Sequence, residues 1–100
     1  MKMIGLMSLA QYRNQVRKYF EQREVQIYSE LEVNGHTSDS IKQFGWWVFD
    51  DETAIQSVLF FAIVTDEKAG DIITGVSDLA KKFDPEHPPR AFQLNVEKLV

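Results

Sequence analysis

Two stretches of this chain, Phe44-Gly45-Trp46-Trp47-Val48-Phe49 and Val58-Leu59-Phe60-Phe61-Ala62-Ile63-Val64, are apolar at almost every position. Successive side chains of a strand point to opposite faces, so a strand covered on one side alternates apolar with polar residues. These two do not alternate. They predict strands near residues 42–49 and 56–65 that are apolar on both faces, joined by an Asp50-Asp51-Glu52-Thr53 turn.

The flanking segments are patterned differently. Leu9, Tyr12, Val16, Tyr19 and Phe20 form one apolar stripe at helical spacing, with Arg13, Asn14, Arg17 and Lys18 mostly off it. Ser8 followed by Gln11 has the form of a capping box, so the spacing predicts a helix over about 8–23. Val25, Ile27, Leu31 and Val33 then alternate with Gln26, Tyr28, Glu30 and Glu32, as in a half-buried strand. Asn34-Gly35 opens a polar loop, and the three strands read as an antiparallel meander. A second helix, capped by Asp66 or Asp71, carries Ala69, Ile72, Ile73, Val76, Leu79, Ala80 and Phe83 on one face and stops at Pro85. Phe92, Leu94 and Val96 alternate with Gln93, Asn95 and Glu97 in a last half-buried strand.

The predicted fold is therefore α+β: a two-layer sandwich in αβββαβ order, with a mostly antiparallel four-stranded sheet and two helices. One hundred residues fit a single domain spanning 1–100. Residues 1–7 are expected to be a loosely held N-terminal extension, with Met7 an alternative start. Two helices cover one sheet face, and the first and last strands should leave polar residues on the other. The doubly apolar strands break that pattern. If Val58, Phe60, Ala62 and Val64 face the helices, then Leu59, Phe61 and Ile63 project outward with Trp46 or Trp47 and Phe49. Burying about four such side chains is worth roughly 6–12 kcal/mol, enough to support a homodimer after the entropy of association. The competing arrangements place the helices on opposite faces, or fold Ile4, Leu6 and Met7 over the patch.

Charge narrows the partners. Net charge is −4, with five basic and two acidic side chains in residues 1–24 but six basic and thirteen acidic ones in 25–100. Such a surface repels a phosphate backbone, so nucleic acid is not expected as a partner. Arg13, Arg17 and Lys18 read as a solvated face able to meet an anion or an acidic partner. The absence of cysteine removes disulfides and thiolate chemistry and agrees with a reducing compartment. The opening Met1-Lys2-Met3-Ile4-Gly5-Leu6-Met7 is short and broken by glycine for an export signal, and no run approaches the ~20 apolar residues of a membrane span. The expected location is cytoplasmic, without a membrane partner.

No catalytic constellation stands out, and no cofactor or metal site is expected. Asp50, Asp51 and Glu52 lack the alternating ligands and central glycine of a calcium loop. His36-Thr37-Ser38-Asp39-Ser40 holds the residue types of a hydrolytic triad, but consecutive loop residues cannot aim a base at a neighbouring hydroxyl. The meander puts His36 and His87 at opposite ends of the sheet, and leaves His87 with Asp50 to Glu52 and Glu24 as the one imidazole–carboxylate grouping. Gly75 reads as a small residue that allows a helix to approach the sheet closely, despite a helix-propensity penalty of about 1 kcal/mol.

The sequence thus points to a non-enzymatic, small homo-oligomeric protein that acts through protein–protein binding by an apolar sheet face. The surface residues in that reading are Trp46, Trp47, Phe49, Leu59, Phe61, Ile63 and Tyr28. The alternative is a small-ligand-binding module in which Trp46, Trp47, Phe49, Phe61 and Tyr28 line a pocket for an apolar or aromatic ligand.

Overall fold

A computed structural model describes residues 1–35 and 55–100. It contains β1 (Lys2–Leu9), α1 (Arg13–Gln22) after a 3-10 turn at Ala10–Tyr12, β2 (Ser29–Gly35), β3 (Ile55–Val64), α2 (Asp66–Ala80) and β4 (Arg90–Asn95). The strands form one antiparallel sheet in the order β2-β3-β1-β4. Both helices contribute to a single core on one side of it: Val16, Tyr19 and Phe20 from α1 and Ala69, Ile72 and Leu79 from α2 meet Ile4, Leu6, Val58, Phe60 and Ala62. The α+β two-layer sandwich with a four-stranded sheet and two helices is as the sequence predicts, and the arrangement with helices on opposite faces is not found.

The element order, however, is βαββαβ. Residues 2–9 are a central strand paired on both edges, with Ile4 and Leu6 fully buried, where residues 1–7 were expected as a loose extension and residues 8–9 as the start of a helix. Ser8 accordingly lies inside β1 rather than capping a helix, and its hydroxyl donates to the Leu9 carbonyl. The helix starts five residues later, although its buried stripe of Val16, Tyr19 and Phe20 has the predicted phase. β3 is flanked by β2 and β1, which take the neighbouring positions that the meander assigned to residues 42–49. That segment itself, with Trp46, Trp47, Phe49 and the Asp50-Asp51-Glu52 turn, lies outside the described residues, as does His36. Arg90 lies in the row of Met7, Leu59 and Leu31, and β2 runs on for four more residues to Gly35 toward the same end of the sheet.

Local signals explain the ends. Thr65 caps α2 by accepting the Lys68 N–H at 3.2 Å, and Asp66 and Glu67 occupy the first turn, where carboxylates complement the helix dipole. Glu24, with φ 58°, takes the left-handed conformation that turns the chain out of α1. Phe83 stacks on Tyr12, with ring centroids 4.2 Å apart, and the Tyr12 hydroxyl accepts the Asp84 N–H. Among the described residues, no helix is long and apolar enough to cross a membrane.

Candidate functional site

The sheet face opposite the helices is the candidate site, and the register defines it. Ile4, Leu6, Val58, Phe60 and Ala62 occupy alternate positions that meet the core, so the intervening positions of the same strands form the other face. Across the sheet these make successive rows: Ile63, Met3 and Leu94; Ser29, Phe61, Gly5 and Phe92; Leu31, Leu59, Met7 and Arg90; and Val33, Ser57 and Leu9. Among the described residues, Ser29, Ser57 and Arg90 interrupt an otherwise apolar face, and Ser57 on it is fully buried. Leu31, Ile63 and Leu94 remain 45%, 40% and 54% exposed.

The edge strands supply the feature that sequence reasoning inverted. β2 and β4 were expected to turn their apolar sides to the helices and their polar sides outward. Instead Glu30 and Glu32 lie on the helix side, where Glu32 pairs with Arg13 at 2.8 Å and Glu30 receives the Arg17 guanidinium. On β4, Gln93 and Asn95 take the helix side, and Asn95 accepts from the Lys2 ammonium. The helix layer therefore covers the central strands with apolar groups and meets the sheet rims with charge. Arg13 and Arg17 are engaged by the chain's own carboxylates, and the neighbouring Glu30 carboxylate raises the Arg17 pKa through hydrogen bonding. Leu31, Val33, Phe92 and Leu94 are consequently free to extend the apolar face to both edges.

Glycine shapes this face at one point. A Cβ on Gly5 would lie 2.6 and 2.7 Å from the two Cε atoms of Phe92, well inside carbon contact distance. The Phe92 ring thus lies directly over the Gly5 backbone and fills the place that a side chain in β1 would take.

Of the residues the sequence singled out, Leu59, Phe61 and Ile63 share the open face. Tyr28 does not join them. It packs among the core aromatics, 5.0 Å from the Phe20 ring and 6.2 Å from that of Phe60. Trp46, Trp47 and Phe49 lie outside the described residues. Met3, Met7, Leu31, Val33, Phe92 and Leu94 were missed. Their signal was present in the runs 3–7, 31–33 and 91–94, but its meaning depended on which strands were central.

Two polar features lie elsewhere. At the connector before β4, ligand-capable atoms of Asp84, Glu86 and His87 lie within 4.8 Å of one another. Asp84 accepts the Glu86 N–H at 3.1 Å and lies 3.3 Å from His87 Nδ1, which together hold its carboxyl below the ordinary value. This is the local chemistry of a tight turn; the carboxylate beside His87 is Asp84, and the expected partners Asp50 to Glu52 lie outside the described residues. On the outer side of the helix layer, Tyr19 donates to the Ile72 carbonyl at 2.5 Å, and Arg23 lies 5.2 Å above the Tyr19 ring. Burial pushes the Tyr19 phenol above its ordinary pKa. Gly75 makes this possible, because a Cβ there would overlap the Arg23 guanidinium and lie 2.6 Å from the Tyr19 hydroxyl. The close approach expected at Gly75 is real, but it admits side chains of α1 rather than the sheet.

No family model matches the chain, and no curated protein matches it. Among solved structures it is similar to a candidate PII-like signaling protein from Thermus thermophilus, with a TM-score of 0.65 and 16% sequence identity over 95% of this chain and 85% of that one. The likeness is one of fold. It covers nearly all of this chain, and it concerns the βαββαβ arrangement rather than any shared set of site residues.

Proposed function

We propose that this chain is a small, non-enzymatic, signalling-type protein of the cytoplasm that works as a homo-oligomer, its protomers joined through the open face of the sheet. The observation that carries this reading is the inversion of both edge strands: Leu31 and Val33 on one side and Phe92 and Leu94 on the other extend the apolar rows of β1 and β3 across all four strands. Contiguous apolar surface of this extent is uncommon on monomers and marks association sites. Complete removal of each large apolar side chain from water is worth about 1.5–3 kcal/mol. Half-exposed Leu31, Ile63 and Leu94, contributed by each protomer with the partly covered residues between them, work against an association penalty of roughly 4–15 kcal/mol. The similarity to the candidate PII-like signaling protein supports a regulatory role exerted by binding other proteins. The alternative, an aromatic ligand pocket shared by Tyr28 and Phe61, is weakened by their placement on opposite faces of the sheet.

Sedimentation velocity over a hundredfold range of protein concentration tests the reading, with mass spectrometry of the native protein for co-purified small molecules. A species of at least twice 11.6 kDa with no bound small molecule is the expected result. A monomer throughout, carrying a stoichiometric apolar ligand, would instead favour the pocket.

A further inference from the structure

The sheet face accounts for the apolar surface but leaves the cationic groups of the helix layer unexplained. Between α1 and α2, on the side away from the sheet, runs a groove of about 240 Å³. Lys18 from α1, Arg23 just past its end and Lys82 from beyond the end of α2 line it, with the amides of Gln15 and Gln22. Asp78 is its one carboxylate, and Asp78 is itself paired with Lys81 at 3.2 Å. A chain of net charge −4 thus gathers three cations around one small concavity. Arg13 and Arg17, on the same helix, are paired with Glu32 and Glu30. Among the described residues, Lys18, Lys82 and the Arg23 guanidinium have no such carboxylate within ion-pair distance.

Arg23 is also held in place. Its guanidinium sits over the Tyr19 ring, Tyr19 is fixed by its bond to the Ile72 carbonyl, and the space both occupy exists because residue 75 has no side chain. A planar guanidinium restrained in this way loses little freedom when it binds, and its fork of N–H groups matches phosphate oxygens two at a time. Two flanking ammonium groups add charge without directional demand, and the glutamine amides add neutral donors. We propose that this interhelical groove binds a compact phosphate-bearing anion, held by Arg23 with Lys18 and Lys82. A single carboxylate would neutralise only one of the three cations, whereas a phosphate or pyrophosphate group carries charge closer to the set. The site lies across the helix layer from the oligomerisation face, so its occupancy can be tested independently of association.

The experiment is a titration of the full chain with inorganic phosphate and with pyrophosphate in about 150 mM sodium chloride, followed by amide NMR. The expected result is saturable shifts at Gly75 and at the Gln15 and Gln22 side chains, with pyrophosphate the tighter ligand. Arg23→Gln and Lys82→Gln should each weaken binding by about tenfold, the scale of one charge-assisted hydrogen bond. Lys98→Gln, which neither lines the groove nor pairs with a residue that does, should leave it unchanged. Gly75→Ala should weaken binding by displacing the guanidinium. If that variant fails to fold, the surface substitutions decide alone. Non-saturating shifts, or equal affinity in Arg23→Gln, would overturn the proposal. A phosphoserine tetrapeptide that bound more tightly than pyrophosphate would overturn the assignment to a free small anion.

Discussion

The contact between Gly5 and Phe92 makes the open face testable at a single atom. An alanine methyl at residue 5 would lie 2.6 and 2.7 Å from the Cε atoms of Phe92, whereas non-bonded carbons rest at about 3.5–4.0 Å. The ring must retreat by roughly 1 Å or more. Overpacking of this kind typically costs about 1–3 kcal/mol, which for a chain of this length lowers Tm by roughly 5–20 °C. The backbone of Gly5 is not in the left-handed region, so the penalty comes from the ring and not from the conformation. Removing the ring should therefore reverse the sign. In a Phe92→Ala background, Gly5→Ala is expected to be neutral or to stabilise by up to about 1 kcal/mol, because glycine in a strand loses more freedom on folding than alanine does. Thermal melts of the wild type, both single variants and the double variant, followed by circular dichroism, give the coupling energy directly. An equal loss from Gly5→Ala in both backgrounds would refute the placement of Phe92 over Gly5, and with it the inversion of β4.

Leu79→Asp and Phe83→Asp should each abolish cooperative unfolding, since both put a charge into the helix–sheet core, while Arg17→Ala, on the exposed rim, should shift Tm by only a few degrees; melts of the three compare them. Tyr19→Phe removes the donor to the Ile72 carbonyl and should destabilise by about 1 kcal/mol in urea titration. Asp84 has a folded pKa below its unfolded value, so its stabilising contribution is full above that unfolded value and is lost as pH falls through the folded one. Stability should fall more steeply below about pH 4 in the wild type than in Asp84→Asn, and equal acid profiles would contradict the turn geometry.

Much of the fold was legible because helices advertise their phase. Val16, Tyr19 and Phe20, and Ala69, Ile72 and Leu79, are buried at the positions their spacing indicated. The errors share one physical cause. A strand apolar on both faces is a central strand, and the same rule that identified residues 58–64 applied to Met3-Ile4-Gly5-Leu6-Met7. Glycine and methionine have little intrinsic preference for strands, and Ser8 with Gln11 offered a competing helix start. With β1 overlooked, the sheet lacked a centre, and alternation in 29–35 and 90–95 could not say which side faced the helices. Periodicity specifies two faces but not which one is covered. The glutamates of β2 held the answer, since Glu30 and Glu32 have the spacing to meet Arg17 and Arg13 one turn apart on α1. The candidate surface was accordingly legible at Leu59, Phe61 and Ile63, and illegible at Tyr28, whose side depends on where the chain enters β2. The groove between the helices could not be read at all, because it depends on Gly75 and Arg23 being adjacent across two elements.

The measurement that bears most directly on the central claim is the mass of the native protein by light scattering, for the wild type and for Phe61→Lys. Phe61 occupies the row shared with Gly5 and Phe92, and it lies off the helix-facing core. A lysine there can keep its charge in water in a monomer but not within an apolar interface. The account predicts an oligomer for the wild type, and a monomer of 11.6 kDa with unchanged circular dichroism for the variant, allowing for the small difference in residue mass. A monomeric wild type, or an oligomer that persists undiminished in Phe61→Lys, would contradict it.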